Sequence, residues 1–555
     1  MSTPTLPTRA RLEWRALDRP ALVESALLGL LWGLIVLNAF ARPFMPIDET
    51  RYISVAWEMW RDHSWWVAHM NGTPYADKPP LLFWLINLGW QCFGVSVWWP
   101  KLISPLASLL GGVHLYRFAR RLGHTRHTAR QAVLILMSML LWSLYSGALM
   151  FDVLLTACLL GALVPLIRGE LTRHRMLESA LWLGLALLAK GPVALLTWLS
   201  VALSMPLWRT SPLGSGGRVR LWLSLAGAVA MLLGWALISA WHGGPAYADQ
   251  LLWHQSVDRL GQTADHARPF WWYLPVLPAL LFPWALWPQA WPFWRRSALI
   301  PTERPRLRRR RLPWIWAGAL LLMFSMIGGK QIHYLMPMLP ATALIIADTL
   351  HRRTQSATVT LRLIALSLAI LALTIIALSL LQPEGSGAMV APSAAVIMLL
   401  VAVALWLMRL SFRHGMMAVV LLAGVIPTLL LQWALAPLWP REDPGPPAAM
   451  LARLEQQGYP LAWLGHNYQA TFQFAGRLSQ SLDEIGDRPH QVCQWQQQHP
   501  AGWVIGDSDE LPDTMTPPAS LHRFPWRGHQ LMILPAAPWC DISSGTVQHQ
   551  QDDMP

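Results

Sequence analysis

The feature that most constrains this chain is the recurrence, from Ala21 to about Pro437, of apolar runs near 20 residues long. An α-helix needs about 20 such residues to cross the hydrocarbon of a bilayer. Only helices and closed barrels satisfy their backbone there, and these continuous runs, rich in Leu and Ala, are helical in character. The whole chain is 54% hydrophobic and only 13% charged, where soluble domains carry about 25% charged residues. The expectation is a polytopic α-helical membrane protein. About thirteen spans are predicted, centred near residues 30, 108, 138, 160, 182, 200, 230, 282, 320, 343, 371, 400 and 426.

Charge orients these spans. Arg9, Arg11, Arg15 and Arg19 precede the first run, which is too long for a signal-peptide core, so the amino terminus is expected on the cytoplasmic side. The net charge of +13 lies in the membrane half, because the segment after Pro437 is acidic. It gathers in the loops Arg117 to Arg130, Arg168 to Arg175, Arg209 to Arg220, Arg295 to Arg311 and Arg352 to Arg362, alternating with loops poor in Lys and Arg. That pattern serves orientation and contact with anionic membrane lipids, and no nucleic-acid partner is expected. No glycine-rich phosphate loop is present, which argues against a nucleotide substrate. Many of the 34 tryptophans stand near span ends, as interface anchors do.

Two domains are expected: 1–437, a membrane domain with outer loops at 41–98 and 242–270, and 438–555, a small soluble α/β domain. An odd span count puts that domain on the side opposite the amino terminus, which is the periplasm in a Gram-negative cell. The first outer loop holds an amphipathic stretch around Arg51 to Trp66 and an apolar piece, Leu81 to Phe93, too short to cross comfortably and read as interfacial. In the soluble part, strands are predicted at Leu461 to Leu464, Gly502 to Ile505 and Gln530 to Leu534, with helices at Pro447 to Gln457 and Pro489 to Gln498. Cys493 and Cys540 would pair there in an oxidising compartment, and two separate thiols account for them equally well.

Ionisable residues at span ends are costly and therefore candidates for function. In PIDETRYISVAWEMW, Asp48, Glu49 and Arg51 share one turn at a helix start; a charged first turn with a cap would look the same. In NGTPYADKPPLLFWL, two prolines hold Tyr75, Asp77 and Lys78, a rigid arrangement suited to a lipid phosphate; a turn with a snorkelling lysine is the alternative. The four lysines of the chain, Lys78, Lys101, Lys190 and Lys330, all fall at or beyond the outer end of a predicted segment. Asp152 opens the fourth span, where N-capping is the competing account. Lys190 lies in the turn LLAKGPVALL, and Lys330, His333 and Tyr334 in FSMIGGKQIHYLMPMLP.

The order PIDETRY, NGTPYADKPPLLFWL, LMFDVLL, LLAKGPVAL, QTADHARPFWWYLP, KQIHYLMPMLPA resembles the lipid-linked aminoarabinose transferases. These belong to the wider GT-C membrane glycosyltransferases, which include protein O-mannosyltransferases. The resemblance spans nearly the whole chain and is more specific for the superfamily than for the sugar. It implies transfer of a sugar from a polyprenyl (undecaprenyl) phosphate donor to an envelope acceptor, lipid A in the aminoarabinose enzymes, usually with inversion, at the outer face of the bacterial inner membrane. By that resemblance Asp48 and Asp152 would be catalytic, and Arg51, Lys78 and Tyr334 would serve the donor phosphate or its cavity; from their charge and placement Tyr75 and Lys330 are added to the phosphate set, with Glu49 and Lys190 in support. Asp77, where these enzymes usually have Glu, and His266 would hold a divalent metal, zinc or magnesium; no cofactor is otherwise required. A protein O-glycosyltransferase shares the scaffold. A flippase of lipid-linked sugars would explain the spans, though neither the long first loop nor the soluble domain.

Overall fold

The computed structural model describes residues 19–251, 267–291, 308–352, 358–381, 391–486, 488–508 and 521–536. Nine helices build its first part: α1 (Arg19–Phe40), α2 (Asp48–Arg61), α3 (Leu81–Phe93), α4 (Trp98–Leu122), α5 (Arg126–Met137), α6 (Leu140–Ser146), α7 (Phe151–Leu163), α8 (Arg173–Lys190) and α9 (Val193–Leu203). Further apolar helices follow at Ser215–Asp249, Leu312–Met326, Leu339–His351, Arg362–Leu380, Pro392–Leu407 and Phe412–Leu429. Four helices among the described residues are long and apolar enough to cross a membrane, or five if the α5–α6 pair, bent by 70°, counts as one span. Several others are apolar but shorter, among them α3, α7 and α9.

Two predicted spans are not continuous helices. The run centred on 138 breaks at Ser138 and Met139, where Ser138 Oγ turns back to the Ile135 carbonyl and Met139 takes an extended conformation. The run centred on 282 is a short helix, Tyr273–Leu280, followed by two single 3-10 turns, because Pro278, Pro283 and Pro288 each remove a backbone donor. Between α1 and α4 the amphipathic helix starts three residues earlier than expected and ends at Arg61, while α3 occupies Leu81–Phe93. Trp65 and Trp66 lie beyond the helix; the Trp65 carbonyl takes the indole proton of Trp84, tying loop to α3.

After the bundle a five-stranded sheet forms, in the order Asp483–Ile485, Leu461–Leu464, Trp503–Asp507, His529–Pro535, His522–Trp526. The first three strands run parallel, and the last two pair antiparallel as a hairpin turned at Arg527 and Gly528. Helices Gly445–Gln456 and Pro489–Gln498 pack on it, the first with the cluster around Leu451, Phe472 and Ile533, the second with the cluster around Val492, Leu464 and Val504.

This unit is keyed into the segment between α1 and α4. Asn71, buried, donates to the Leu482 carbonyl and accepts from both Leu482 N–H and Gln473 Nε2, each within 2.9 Å. Glu58 of α2 accepts the N–H groups of Asn71 and Gly72, which holds the loop against the helix; burial raises its carboxyl above the ordinary range. Trp57 donates to Leu478 O, and Ser54 Oγ accepts the Phe474 N–H. Phe474 stacks on Trp90 of α3 with ring centroids 5.4 Å apart. A buried network with every member paired is rigid, because each lost bond leaves a desolvated polar group.

Candidate active site

Asp48 is the first residue of α2, but it does not cap the helix: Ile47 occupies the cap position, with no side-chain bond. The Asp48 carboxylate pairs with Arg51 one turn on and accepts the Tyr52 hydroxyl at 3.1 Å. Its side chain is 46% exposed, whereas that of Arg51 is 19% exposed. The acid thus faces open space, with its partner behind it. Burial and the adjacent Asp48 push the Tyr52 phenol well above its ordinary range, so it stays protonated and donates. Arg51 also donates to Gln469 Oε1 at 2.7 Å, while its Nε is buried with no hydrogen-bond partner. Tyr75, buried, stands in the electrostatic field of the same guanidinium.

Glu49 faces the other way. Arg42 grips both its oxygens at 2.6 and 2.7 Å, and it accepts the N–H groups of Met45 and Leu149. Arg42 in turn donates to Gly147 O. The pair fastens the start of α2 to the segment leading into α7, and so sets where Asp152 stands relative to Asp48. Aromatic contacts complete the link: Tyr52 meets Phe151 edge-on at 4.8 Å, and Phe151 meets Phe83.

Asp152 is not a cap either, since α7 begins at Phe151 after an extended Met150. Its side chain, 2% exposed, receives Lys190 Nζ at 2.5 Å. Lys190 ends α8, and Gly191 turns the chain at φ +71° and ψ −155°, a region open essentially to glycine alone. A Cβ at Gly191 would meet Pro79 at 3.8 Å, so this turn abuts the Asp77–Pro80 segment. Lys190 also lies 5.2 Å from the Tyr334 ring centre, and the Tyr145 hydroxyl lies 3.4 Å from His333 Nδ1. His333 feels the charges of Asp152, Lys190, Asp48 and Lys78. Four separate segments therefore converge: the start of α2, the Asp77–Pro80 turn, the α7/α8 ion pair, and residues 333–334.

Lys330 does not present its ammonium freely. It is 4% exposed and donates to the carbonyls of Arg268, Ile327 and Gly328, beside the bridge that joins Ala267 to Gly329. Lys101 likewise caps the Arg42 carbonyl. Of the metal pair expected from sequence, Asp77 is half-buried and His266 lies outside the described residues, as do Cys540 and Asp265. No group of three His, Cys, Asp or Glu side chains that could hold a metal stands among the described residues.

Sequence reasoning passed over Tyr52, Tyr145 and Gln469. Tyr52 sits inside the quoted motif and falls one turn from Asp48, which spacing alone could have flagged. Gln469 is 418 residues from Arg51 and carries no local signal. Replacing it with alanine removes one charge-assisted bond and is expected to lower kcat/KM about tenfold with the fold intact. Steady-state rates and thermal unfolding of Gln469→Ala check this, and an unchanged rate would remove Gln469 from the site.

Residues 77–241 match the family described as dolichyl-phosphate-mannose-protein mannosyltransferase. Undecaprenyl phosphate-alpha-4-amino-4-deoxy-L-arabinose arabinosyl transferase of Pseudomonas aeruginosa is 32% identical over 323 residues, 55% of each chain. The enzyme of the same name from Yersinia enterocolitica is 28% identical over 336 residues, 58% of each chain. The alignments thus take in a little over half the length of these curated relatives. Crystal structures of ArnT from Cupriavidus metallidurans superpose with TM-scores of 0.71, bound to undecaprenyl phosphate, and 0.70 in the apo state. They cover 93% of this chain and 98% of ArnT, at 20% and 19% identity. The chain therefore has the fold of ArnT across nearly its whole length, and in sequence it is similar to the lipid-linked aminoarabinose transferases.

Proposed function

We propose that this chain is a membrane glycosyltransferase that moves a sugar, 4-amino-4-deoxy-L-arabinose by its relatives' names, from undecaprenyl phosphate to lipid A. The observation that carries the reading is the pairing of an open acid, Asp48, with a largely buried guanidinium, Arg51, whose Nε has no partner. A polyprenyl phosphate is already a good leaving group, so the protein must mainly neutralise phosphate and align two reactants. Arg51 and Lys78 neutralise the phosphate as the bond from sugar C1 to phosphate oxygen breaks and one to the acceptor oxygen forms. Asp48 takes the proton of a hydroxyl acceptor, or orients the sugar when the acceptor is itself a phosphate. Asp152, held by Lys190, lines the same cavity with Tyr75 and Tyr334, and Glu49 fixes the helix that carries Asp48. Lys330 acts through the loop it pins. These side chains carry the proposed chemistry.

In this reading about thirteen segments, several of them broken or short, form the membrane domain 1–437 in the bacterial inner membrane. The amino terminus is cytoplasmic, and the site and the domain 438–555 face the periplasm. The description of the family matched by residues 77–241 favours a second acceptor, a protein hydroxyl. Reconstituted protein given undecaprenyl-phosphate aminoarabinose with either lipid A or an unfolded polypeptide separates the two by mass spectrometry of the acceptors. Modified lipid A is the expected product. Modified polypeptide alone would replace the acceptor, and donor movement without transfer would replace the enzyme with a carrier.

A further inference from the structure

At the end of the bundle away from Asp48 lies a cavity of about 300 Å³ between α1, α5 and the helix Phe412–Leu429. Glu24 on its wall stands sixteen residues before Phe40 on α1, which is about 24 Å along a helix axis. The cavity is therefore remote from the site described above.

Its polar half is built of fixed groups. Glu24, buried, accepts from Arg130 Nε and from His127 Nδ1. With Nδ1 donating, His127 Nε2 takes the amide proton of Gln131 at 2.9 Å. The other Gln131 amide proton goes to Met416 Sδ at 3.4 Å. That leaves Gln131 Oε1, on a side chain only 6% exposed, as an acceptor without a donor. Arg413, exposed at the mouth, has no ion-pair partner among the described residues. One carboxylate against two guanidiniums leaves the cavity short of an anion, and the lone amide oxygen leaves it short of a hydroxyl. Its other half is apolar, lined by Leu27, Leu134, Met416, Met417 and Val420. Ionisable groups inside a bundle are costly, and they either pair with one another or mark a functional site.

We propose that this cavity binds an anionic glycerophospholipid of the adjoining leaflet. The phosphate meets Arg413 and Arg130, a headgroup hydroxyl donates to Gln131 Oε1, and the start of an acyl chain lies along Leu134 and Met417. Basic pockets between helices at a membrane surface recognise such headgroups. The volume suits a headgroup and the first carbons of a chain, with the remainder lying in the bilayer.

The test uses the purified full-length protein in detergent, with native mass spectrometry and thermal unfolding in the presence of phosphatidylglycerol, phosphatidylcholine or inorganic phosphate. Phosphatidylglycerol is expected to bind at least about tenfold tighter than phosphatidylcholine and to raise the unfolding midpoint, while inorganic phosphate does neither. Arg413→Glu, an exposed change that leaves the core untouched, is expected to abolish the preference. Met417→Trp, which fills the apolar end, should reduce binding of both lipids. Equal binding of the two lipids, an unchanged preference in Arg413→Glu, or the same shift from inorganic phosphate would each overturn the proposal.

Discussion

Asp48→Asn is expected to abolish transfer, lowering kcat by about 10² to 10⁴, with KM for the lipid donor little changed and the protein folded. The carboxylate is nearly half exposed, and exposed ion pairs contribute about 0–1 kcal/mol. Tyr52 can still donate to the remaining amide oxygen, and Arg51 keeps Gln469. Removing the negative charge leaves the guanidinium more available to a phosphate, so donor affinity should hold or improve. The loss must then appear in kcat. Membranes with normal expression and unaltered transfer would remove Asp48 from the mechanism, whereas a raised KM with kcat intact would recast it as a binding residue.

The second large effect falls on the α7/α8 ion pair. Lys190→Met leaves Asp152, 2% exposed, as an uncompensated buried charge, and breaking such a pair costs about 3–5 kcal/mol. The protein should unfold at markedly lower temperature, and transfer should fail. Asp152→Asn combined with Lys190→Met removes both charges, and most of the stability should return. Activity separates the roles: a stable, inactive double variant assigns the pair to the chemistry, and a stable, active one reduces it to a structural strut. Thermal unfolding in detergent alongside transfer assays reads both outcomes.

The sequence made some of this geometry legible and hid the rest for physical reasons. Asp48 and Arg51 lie three residues apart, so a helix brings them together wherever it goes, and the pairing could be read directly. The helix Leu81–Phe93 follows from an apolar run that starts after two prolines and stops at Gly94. Asp152 and Lys190 were each visible as charges at segment ends, but their contact depends on how α7 and α8 pack across 38 residues. Lys330 reads as a phosphate ligand from its place at a segment end; the carbonyls that absorb its ammonium come partly from Arg268, sixty-two residues away. In the terminal unit, Leu461–Leu464 announces itself by its apolar composition, whereas the strand His522–Trp526 is largely exposed, opens on His and Arg and contains a proline, and gives no such signal. Predicted runs near 138 and 282 have the composition of spans, and hydropathy takes no account of the serine turn and prolines that break them.

The Asn71 lock joins residues made far apart in time. Asn71 must wait for Leu482, 411 residues later, before its side chain is satisfied. At synthesis rates of about 5–20 residues per second, that delay is about 20 to 80 s. Through this interval the segment between α1 and α4 carries Asp48, Arg51 and an unfilled Asn71 without the partners that hold it rigid. A chain cut short before the final sheet therefore lacks both the Asn71 partners and the Gln469 contact to Arg51. The site around Arg51 is therefore completed only by the last part of the chain to be made.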